Sequence, residues 1–297
     1  MHQTGGLPSP QAPETPLTIV IPAAGIGSRF LPVSRTVPKE LLPLGDKPLI
    51  HHALEEAERA GFANAVIVLS ANKDSIRSYF EPEPRLERIL EGRGDEHALR
   101  RLREASAIAG RLSLQFVDQP WPSGLGDAVL RGRGAAGDAF GVLLPDDVVQ
   151  GAGHWSQLRH LHAETAGTCL SVRRVPIRQA HRFGIAVCEP AGPWLRVRAV
   201  VEKPRPGTAR SDLAIFGRYI VDGALLDALE AMRRCEGEEL QLTDAIATLI
   251  QRGRVFAIRF EGSFFDNGTP EEYAQSQARY SVDVATAASR MASGQFQ

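Results

Sequence analysis

Short unbroken apolar runs alternate along this chain with longer stretches in which apolar residues return every three or four positions. Ile19-Val20-Ile21 and Val66-Ile67-Val68-Leu69 are uninterrupted apolar segments, as strands buried on both faces would be. Leu112–Val117, Gly141–Leu144 and Thr168–Val172 read as further strands. Between them, Leu49, Ile50, Ala53, Leu54 and Ala57 share one face of a helix that Asp46 can cap, with Pro48 in its first turn and Gly61 stopping it. A short helix is predicted around Ile76–Phe80 and another over Trp155–His162. Residues 85–109 are rich in Arg, Glu and Leu and are split at Gly92 and Gly94; their alternating signs predict a helical excursion with a solvated outer face. Strands alternating with helices at this spacing predict βαβ units, hence an α/β fold with a mainly parallel sheet. Residues 1–16, with Pro8, Pro10, Pro13 and Pro16 among polar neighbours, read as a disordered leader. Residues 17–280 form one ordered domain, and 281–297 a C-terminal tail of Ala and Ser with little pattern.

Composition narrows the function classes. The chain has 297 residues, 43% of them hydrophobic, enough to bury a substantial core. A formal net charge of −1 gives no electrostatic case for nucleic-acid binding. Cys169, Cys188 and Cys235 are odd in number and lack a Cys-x-x-Cys pair, which fits a reducing compartment and neither a disulfide framework nor a zinc site. No apolar run reaches membrane-spanning length and the first residues lack a signal-peptide core, so the sequence predicts a cytoplasmic protein with no membrane partner. His51 and His52 are expected at the surface or boundary of their helix rather than as ligands, and His160 and His162 point to different sides of theirs.

The chemistry begins after the first strand. Ala23, Ala24, Gly25 and Gly27 leave the backbone nearly bare, so a flat base or a phosphate can approach the main chain. Arg29 and Lys39 bring two cations to that loop, and exposed N–H groups with fixed cations suit a polyanion. Gly-x-Gly after a strand is common by itself. It is not a Walker loop, and Phe30 stands where the dinucleotide fingerprint has its third glycine. The whole string is more specific. Gly25-Ile26-Gly27-Ser28-Arg29-Phe30-Leu31-Pro32, then Pro38-Lys39-Glu40, then Lys47-Pro48-Leu49-Ile50, resembles the signature of the sugar-phosphate nucleotidyltransferases.

Further strings carry the same resemblance, which covers roughly residues 17–280. Gln119 followed by Gly124-Leu125-Gly126 matches the segment that contacts the base in that family, and an amide that donates and accepts suits a pyrimidine edge. Gly141–Leu144 followed by Pro145-Asp146-Asp147 puts carboxylates at the carboxyl end of a buried strand, where α/β sheets bind ligands. Hard oxygens there suit Mg²⁺, and the resemblance makes Asp146 the metal ligand while leaving Asp147 open. Phe183-Gly184-Ile185 matches the family's segment beside the sugar; in Val200-Val201-Glu202-Lys203-Pro204, Glu202 would bond sugar hydroxyls and Lys203 the sugar's phosphate. Before Tyr273, Thr269 is a predicted N-cap, Pro270 the first helical residue and Glu272 the partner in a capping box. Asp266 just ahead corresponds to the second Mg²⁺ ligand of relatives. Asp212–Tyr219 and Glu238–Ile246 resemble segments of bacterial UTP–glucose-1-phosphate uridylyltransferases.

The resemblance implies a Rossmann-like, doubly wound mixed sheet of the nucleotide-diphospho-sugar transferase type, with helices on both faces. It implies UTP and glucose 1-phosphate as substrates, UDP-glucose and pyrophosphate as products, Mg²⁺ as cofactor and a homo-oligomer. Arg29 and Lys39 would neutralise the leaving pyrophosphate and Lys203 would position the attacking phosphate. Ser28 in place of Thr, Ser123 in place of Lys, Asp127 in place of His and the Asn267-Gly268-Thr269-Pro270 ending depart from the uridylyltransferase pattern, leaving thymidylyl transfer as an alternative. A non-catalytic regulatory paralogue and a Rossmann oxidoreductase are the rivals from other classes. The intact Arg29, Lys39, Asp146, Lys203 and Asp266 argue against the first, and Phe30 at the third glycine position against the second.

Overall fold

The computed structural model describes residues 17–151, 153–233 and 238–292, the last ten of these as backbone only. The expected leader, Cys235 and the last five residues of the expected tail lie outside the described residues. The first half starts with β1 (Thr18–Pro22), followed by a two-residue hairpin of β2 (Pro43–Leu44) and β3 (Lys47–Pro48). Then come α1 (Leu49–Arg59), β4 (Asn64–Leu69), α2 (Asp74–Tyr79), α3 (Pro84–Arg93), α4 (Glu96–Arg111), β5 (Ser113–Asp118), α5 (Gly124–Ala136) and β6 (Phe140–Leu143). The strands lie in the order β5-β4-β1-β6, all parallel.

Both faces of this half are covered because its strands are apolar on both sides. Ile19, Ile21, Ile67 and Leu69 point into a core shared with Ile50, Leu54 and Ala57 of α1 and with Ile76 of α2. Val20, Val66 and Val68, one position out of step, pack with Ala128 and Val129 of α5. This is the period-two alternation of a pleated strand.

The second half contains β7 (Asp147–Val149), α6 (Gly153–Thr165), β8 (Thr168–Arg174), β9 (Gly184–Ala191), β10 (Trp194–Glu202), β11 (Leu213–Val221), α7 (Gly223–Met232), α8 (Leu242–Ile250), β12 (Val255–Arg259), β13 (Phe264–Asp266) and α9 (Pro270–Ala292). β11 pairs antiparallel with β6 and extends the sheet as β11-β8-β12-β10-β9. β9 also pairs back onto β11 through Leu213↔Ala186 and Ala214↔Ile185, closing five strands into a ring. The fold is α/β with helices on both faces, as expected. The mainly parallel sheet is corrected: four pairings in the nine-stranded sheet are parallel and five antiparallel.

Four local expectations also change. Asp46 does not cap α1, because Gly45 and Asp46 turn the β2–β3 hairpin and Pro48 holds the N-cap position. His51 and His52 are buried rather than superficial; Nδ1 of His51 meets the Tyr79 hydroxyl at 3.0 Å, and Nε2 of His52 meets Leu44 O at 2.8 Å. The capping box of α9 is half made. Thr269 Oγ1 accepts the Glu272 N–H at 3.3 Å, but the Glu272 carboxylate turns to Arg182 instead. Gly92 does not break its helix, which runs on to Arg93. Gly94 ends α3 in the left-handed region, and α6 buries His162 while exposing His160. Among the described residues, no helix is long and apolar enough to cross a membrane.

Candidate active site

β1 ends beneath a loop whose shape depends on Gly27. Its φ of 64° lies in the left-handed region, where a side chain would be strained. Gly27 O then accepts the Phe30 N–H at 2.9 Å, closing the single turn that carries Arg29. Arg29 Nη1 donates to Gly268 O at 3.3 Å, which draws the loop toward the start of α9. Behind the loop, the buried Lys73 donates to Ala23 O and to Glu40, each at 2.7 Å. Ala23 is therefore a supporting residue. Ala24, Gly25, Gly27, Arg29, Lys39, Gln119, Gly124 and Asp146 line a cleft of about 450 Å³.

Carboxylates gather at one wall. Beyond β6, Leu144 N donates to Gly217 O at 2.9 Å, and the chain re-enters a strand at Asp147, which pairs in register with Asp266 of β13. Asn267 clamps the intervening residue: its backbone N–H and its side-chain amide both donate to Asp146 O at 3.0 Å. Asp146 Oδ2 lies 2.6 Å from Lys39 Nζ. Burial alone would push the Asp146 carboxyl up, but the Lys39 ammonium outweighs it and holds the group below the usual carboxylate range. Burial, then Asp146 and Asp266, push Asp147 up to about 7. Burial, with Asp146 adding to it, also raises Asp266, although the Gly268 N–H bonded to its Oδ1 at 3.0 Å works against the shift.

A buried ion pair braces this wall from behind. Arg218 is fully buried and meets Glu56 of α1 with two bonds of 2.6 Å. The same guanidinium donates to the carbonyls of Leu144, Gly217 and Asp147. Glu56 also accepts from Trp155 Nε1 at 2.8 Å and contacts His154 Nε2 at 3.1 Å. Gly217 permits the close approach of β11, since a Cβ there would lie 2.4 Å from the Leu144 Cβ.

A second cavity of about 180 Å³ shares Leu125 and Leu144 with the first. Gly184, Glu202, Gly217, Tyr219 and Thr243 line it. A Cβ on Gly184 would stand 3.1 Å from Glu202 Oε2. Thr243 Oγ1 is buried there without a hydrogen-bond partner. Lys203 does not line this cavity. It is half-exposed, its Nζ lies 3.4 Å from Glu202 Oε1, and its φ of 42° puts a non-glycine residue in the left-handed region. Asp266 lines a neighbouring cavity of about 490 Å³ with Arg173 and Arg182.

This geometry has counterparts in known proteins. Residues 18–282 match the family model for nucleotidyl transferases. The chain belongs to the nucleotidyl transferase family. Among curated relatives, the UTP–glucose-1-phosphate uridylyltransferase of Bacillus subtilis strain 168 is 41% identical over 252 residues, spanning 84% of this chain and 85% of the relative. A Staphylococcus epidermidis protein of the same name is 37% identical over 268 residues, 89% of this chain and 91% of its own. Similar solved structures include a UDP-glucose pyrophosphorylase complexed with UDP-glucose, with TM-score 0.78 and 31% identity over 90% of this chain and 98% of the other. A UTP-bound enzyme from Acinetobacter baumannii gives TM-score 0.80 and 34% identity, covering 90% and 93%.

Within this nucleotidyl transferase, four side chains line or brace the two cavities although the sequence assigned them no role or left their role open. They are Asp147, Arg218, Tyr219 and Thr243. The last three fall inside the two strings that carried the resemblance, which was the available signal. A second acidic group must be separated from the cleft. His51, Glu55 and Glu104 bring ligand atoms within 4.8 Å of one another, but Lys47 Nζ already bonds Glu55 at 2.7 Å and Glu104 at 2.8 Å. An ammonium neutralises that cluster.

Proposed function

We propose that this chain transfers the uridylyl group of UTP to glucose 1-phosphate, releasing pyrophosphate and giving UDP-glucose. The observation that carries the reading is the pair of cavities sharing Leu125 and Leu144, with Lys39 and Asp146 in the wall of the larger. The larger suits a nucleotide lying on a bare glycine loop. The smaller presents Glu202 and the unpartnered Thr243 hydroxyl, groups that suit a ligand rich in hydroxyls. The relatives' names and the neighbour solved with UDP-glucose support the same pairing of substrates.

A sugar phosphate is already a nucleophile, so the reaction needs alignment and charge neutralisation more than a strong base. An oxygen of the glucose phosphate attacks the α-phosphorus of UTP, and the bond from that phosphorus to the bridging oxygen of pyrophosphate breaks. Arg29 and Lys39 are the cations beside the glycine loop and would stabilise the departing pyrophosphate. Lys203 is free to leave Glu202 for the incoming phosphate, and its unusual backbone conformation supports a functional role. Mg²⁺ fits the donor set. Among Asp146, Asp147 and Asp266, burial first and then the neighbouring carboxylates raise the latter two, and a cation relieves the repulsive part. Asp146 and Asp266 would hold the ion once Lys39, 2.6 Å from Asp146 Oδ2, turns to the phosphates it is proposed to neutralise, leaving Asp147 Oδ2 on the Gly217 N–H. The ion would supply positive charge where the phosphates meet. Among the described residues the thiols of Cys169 and Cys188 are unpaired, which supports a cytoplasmic enzyme.

The test is a matrix of nucleoside triphosphates against sugar 1-phosphates, read as pyrophosphate release. UTP with glucose 1-phosphate should give the highest kcat/KM. A clear preference for dTTP would move the assignment to thymidylyl transfer.

A further inference from the structure

Gln119 lines the nucleotide cleft with its hydrogens already committed. Its backbone N–H donates to Leu69 O at 2.7 Å. Its side-chain nitrogen donates to Gly124 O at 3.1 Å and to Asp127 Oδ2 at 2.8 Å. Both partners only accept, so the amide nitrogen has to face them. Flipping the amide would set its oxygen against a carbonyl and a carboxylate, two repulsive contacts in place of two bonds. Asp127 is itself buried and fixed: Oδ2 also accepts from Arg131 Nε at 2.6 Å. Arg131 Nη1 reaches Asp118 O at 3.3 Å, so one arginine ties Asp127 to the residue immediately before Gln119. With the nitrogen so occupied, Oε1 is the polar atom that Gln119 has left for a ligand in the cleft.

We propose that Asp127, held by Arg131, fixes the polarity of the Gln119 amide and thereby selects a uracil-type base over cytosine. The inference rests on the uridylyl-transfer reading. Uracil presents N3–H as a donor, which Oε1 accepts. Cytosine in the same pose presents a bare N3 lone pair, so two acceptors face each other, and the amide cannot turn to greet it without breaking its bonds to Asp127 and Gly124. Thymine carries the same N3–H, so this device separates uracil and thymine from cytosine and leaves uracil and thymine to be sorted by other contacts. Asp127 is a positioning residue: it acts through Gln119.

The experiment compares kcat/KM for UTP and CTP, each with glucose 1-phosphate, in the wild-type chain and in Asp127→Ala and Asp127→Asn. The wild-type ratio should be on the order of 10²-fold or more, because a site left with unpaired polar groups discriminates strongly. Asp127→Ala releases the amide, and the ratio should fall at least about 10-fold. Asp127→Asn keeps an acceptor oxygen toward Gln119 and Arg131, and its ratio should stay within about 3-fold of wild type. The ratio is internal to each preparation, so partial unfolding lowers both terms alike. Should the alanine variant fail to fold, Asp127→Leu fills the space and carries the same expectation. A ratio unchanged in Asp127→Ala (or its Leu substitute) overturns the proposal, as does an Asn variant that loses the ratio as fully as Ala. Wild-type turnover of UTP in either case leaves the uridylyl reading standing; its absence overturns both.

Discussion

Replacing Arg218 with Met would test the brace behind the carboxylate wall. The change keeps much of the apolar stem but removes two charge-assisted bonds to Glu56 and the donors to Leu144 O, Gly217 O and Asp147 O. Glu56 would then be a buried carboxylate without its cation, left only with Trp155 and His154. Breaking one side of a buried ion pair costs about 3–5 kcal/mol, which in a chain of this size lowers Tm by roughly 5–8 °C. The pH dependence has a definite sign. In the wild type, burial pushes Glu56 up but Arg218 and His154 outweigh it, holding the carboxyl below its usual range. Its pairing therefore stabilises the fold above the unfolded pKa, and that contribution is lost as pH falls through the folded one. Without Arg218 the burial effect dominates and the carboxyl is raised, so the penalty is largest near neutral pH and shrinks in mild acid. Differential scanning fluorimetry at a series of pH values reads both effects. Adding Glu56→Gln to Arg218→Met should recover part of the loss, because no buried charge is then stranded. A Tm change below about 2 °C, or a penalty that grows on acidification, would refute the brace.

Asp146→Asn should abolish Mg²⁺-dependent turnover while leaving the far-ultraviolet circular dichroism unchanged, since a hard cation loses a charged ligand; activity within a few-fold of wild type would sink the assignment. Lys203→Ala should cut kcat/KM for glucose 1-phosphate by roughly 10²-fold with UTP binding by calorimetry intact, and Lys203→Arg should not restore it, because a planar fork replaces a compact charge poorly. Loss of UTP affinity with normal sugar-phosphate kinetics would instead give the lysine to the nucleotide. Gly217→Ala places a Cβ 2.4 Å from the Leu144 Cβ, so backbone has to shift at the carboxylate wall. Destabilisation of about 1–3 kcal/mol in urea titration, together with reduced kcat, is expected.

What could be read in advance was what short-range pattern encodes. The apolar runs at Ile19–Ile21 and Val66–Leu69 are strands, the stripe on α1 faces the core, and Asp146 sits where an apolar run gives out. The ring of β8 to β12 was not readable, because its closure joins Leu213–Ala214 to Ile185–Ala186 and no local periodicity distinguishes that partner from another. The role of Asp147 stayed open for a related reason. Its carboxylate takes its meaning from the Gly217 N–H, 70 residues further on, and from Asp266 across a two-strand ladder. The burial of His52 depends on Leu44 O, which the β2–β3 hairpin brings to it. Residue identity in the cleft was legible, whereas donor polarity was not: only the Asp127 and Gly124 contacts decide which end of Gln119 faces the ligand.

Phosphorus NMR of the purified chain with UTP, glucose 1-phosphate and Mg²⁺ addresses the central claim most directly. Uridylyl transfer predicts that UTP and sugar-phosphate signals decay together while UDP-glucose and pyrophosphate grow in equal amounts. The chain should also run the reaction backward when given only those two products. Formation of UDP and inorganic phosphate, or unchanged spectra under conditions where the protein is folded, would contradict the claim.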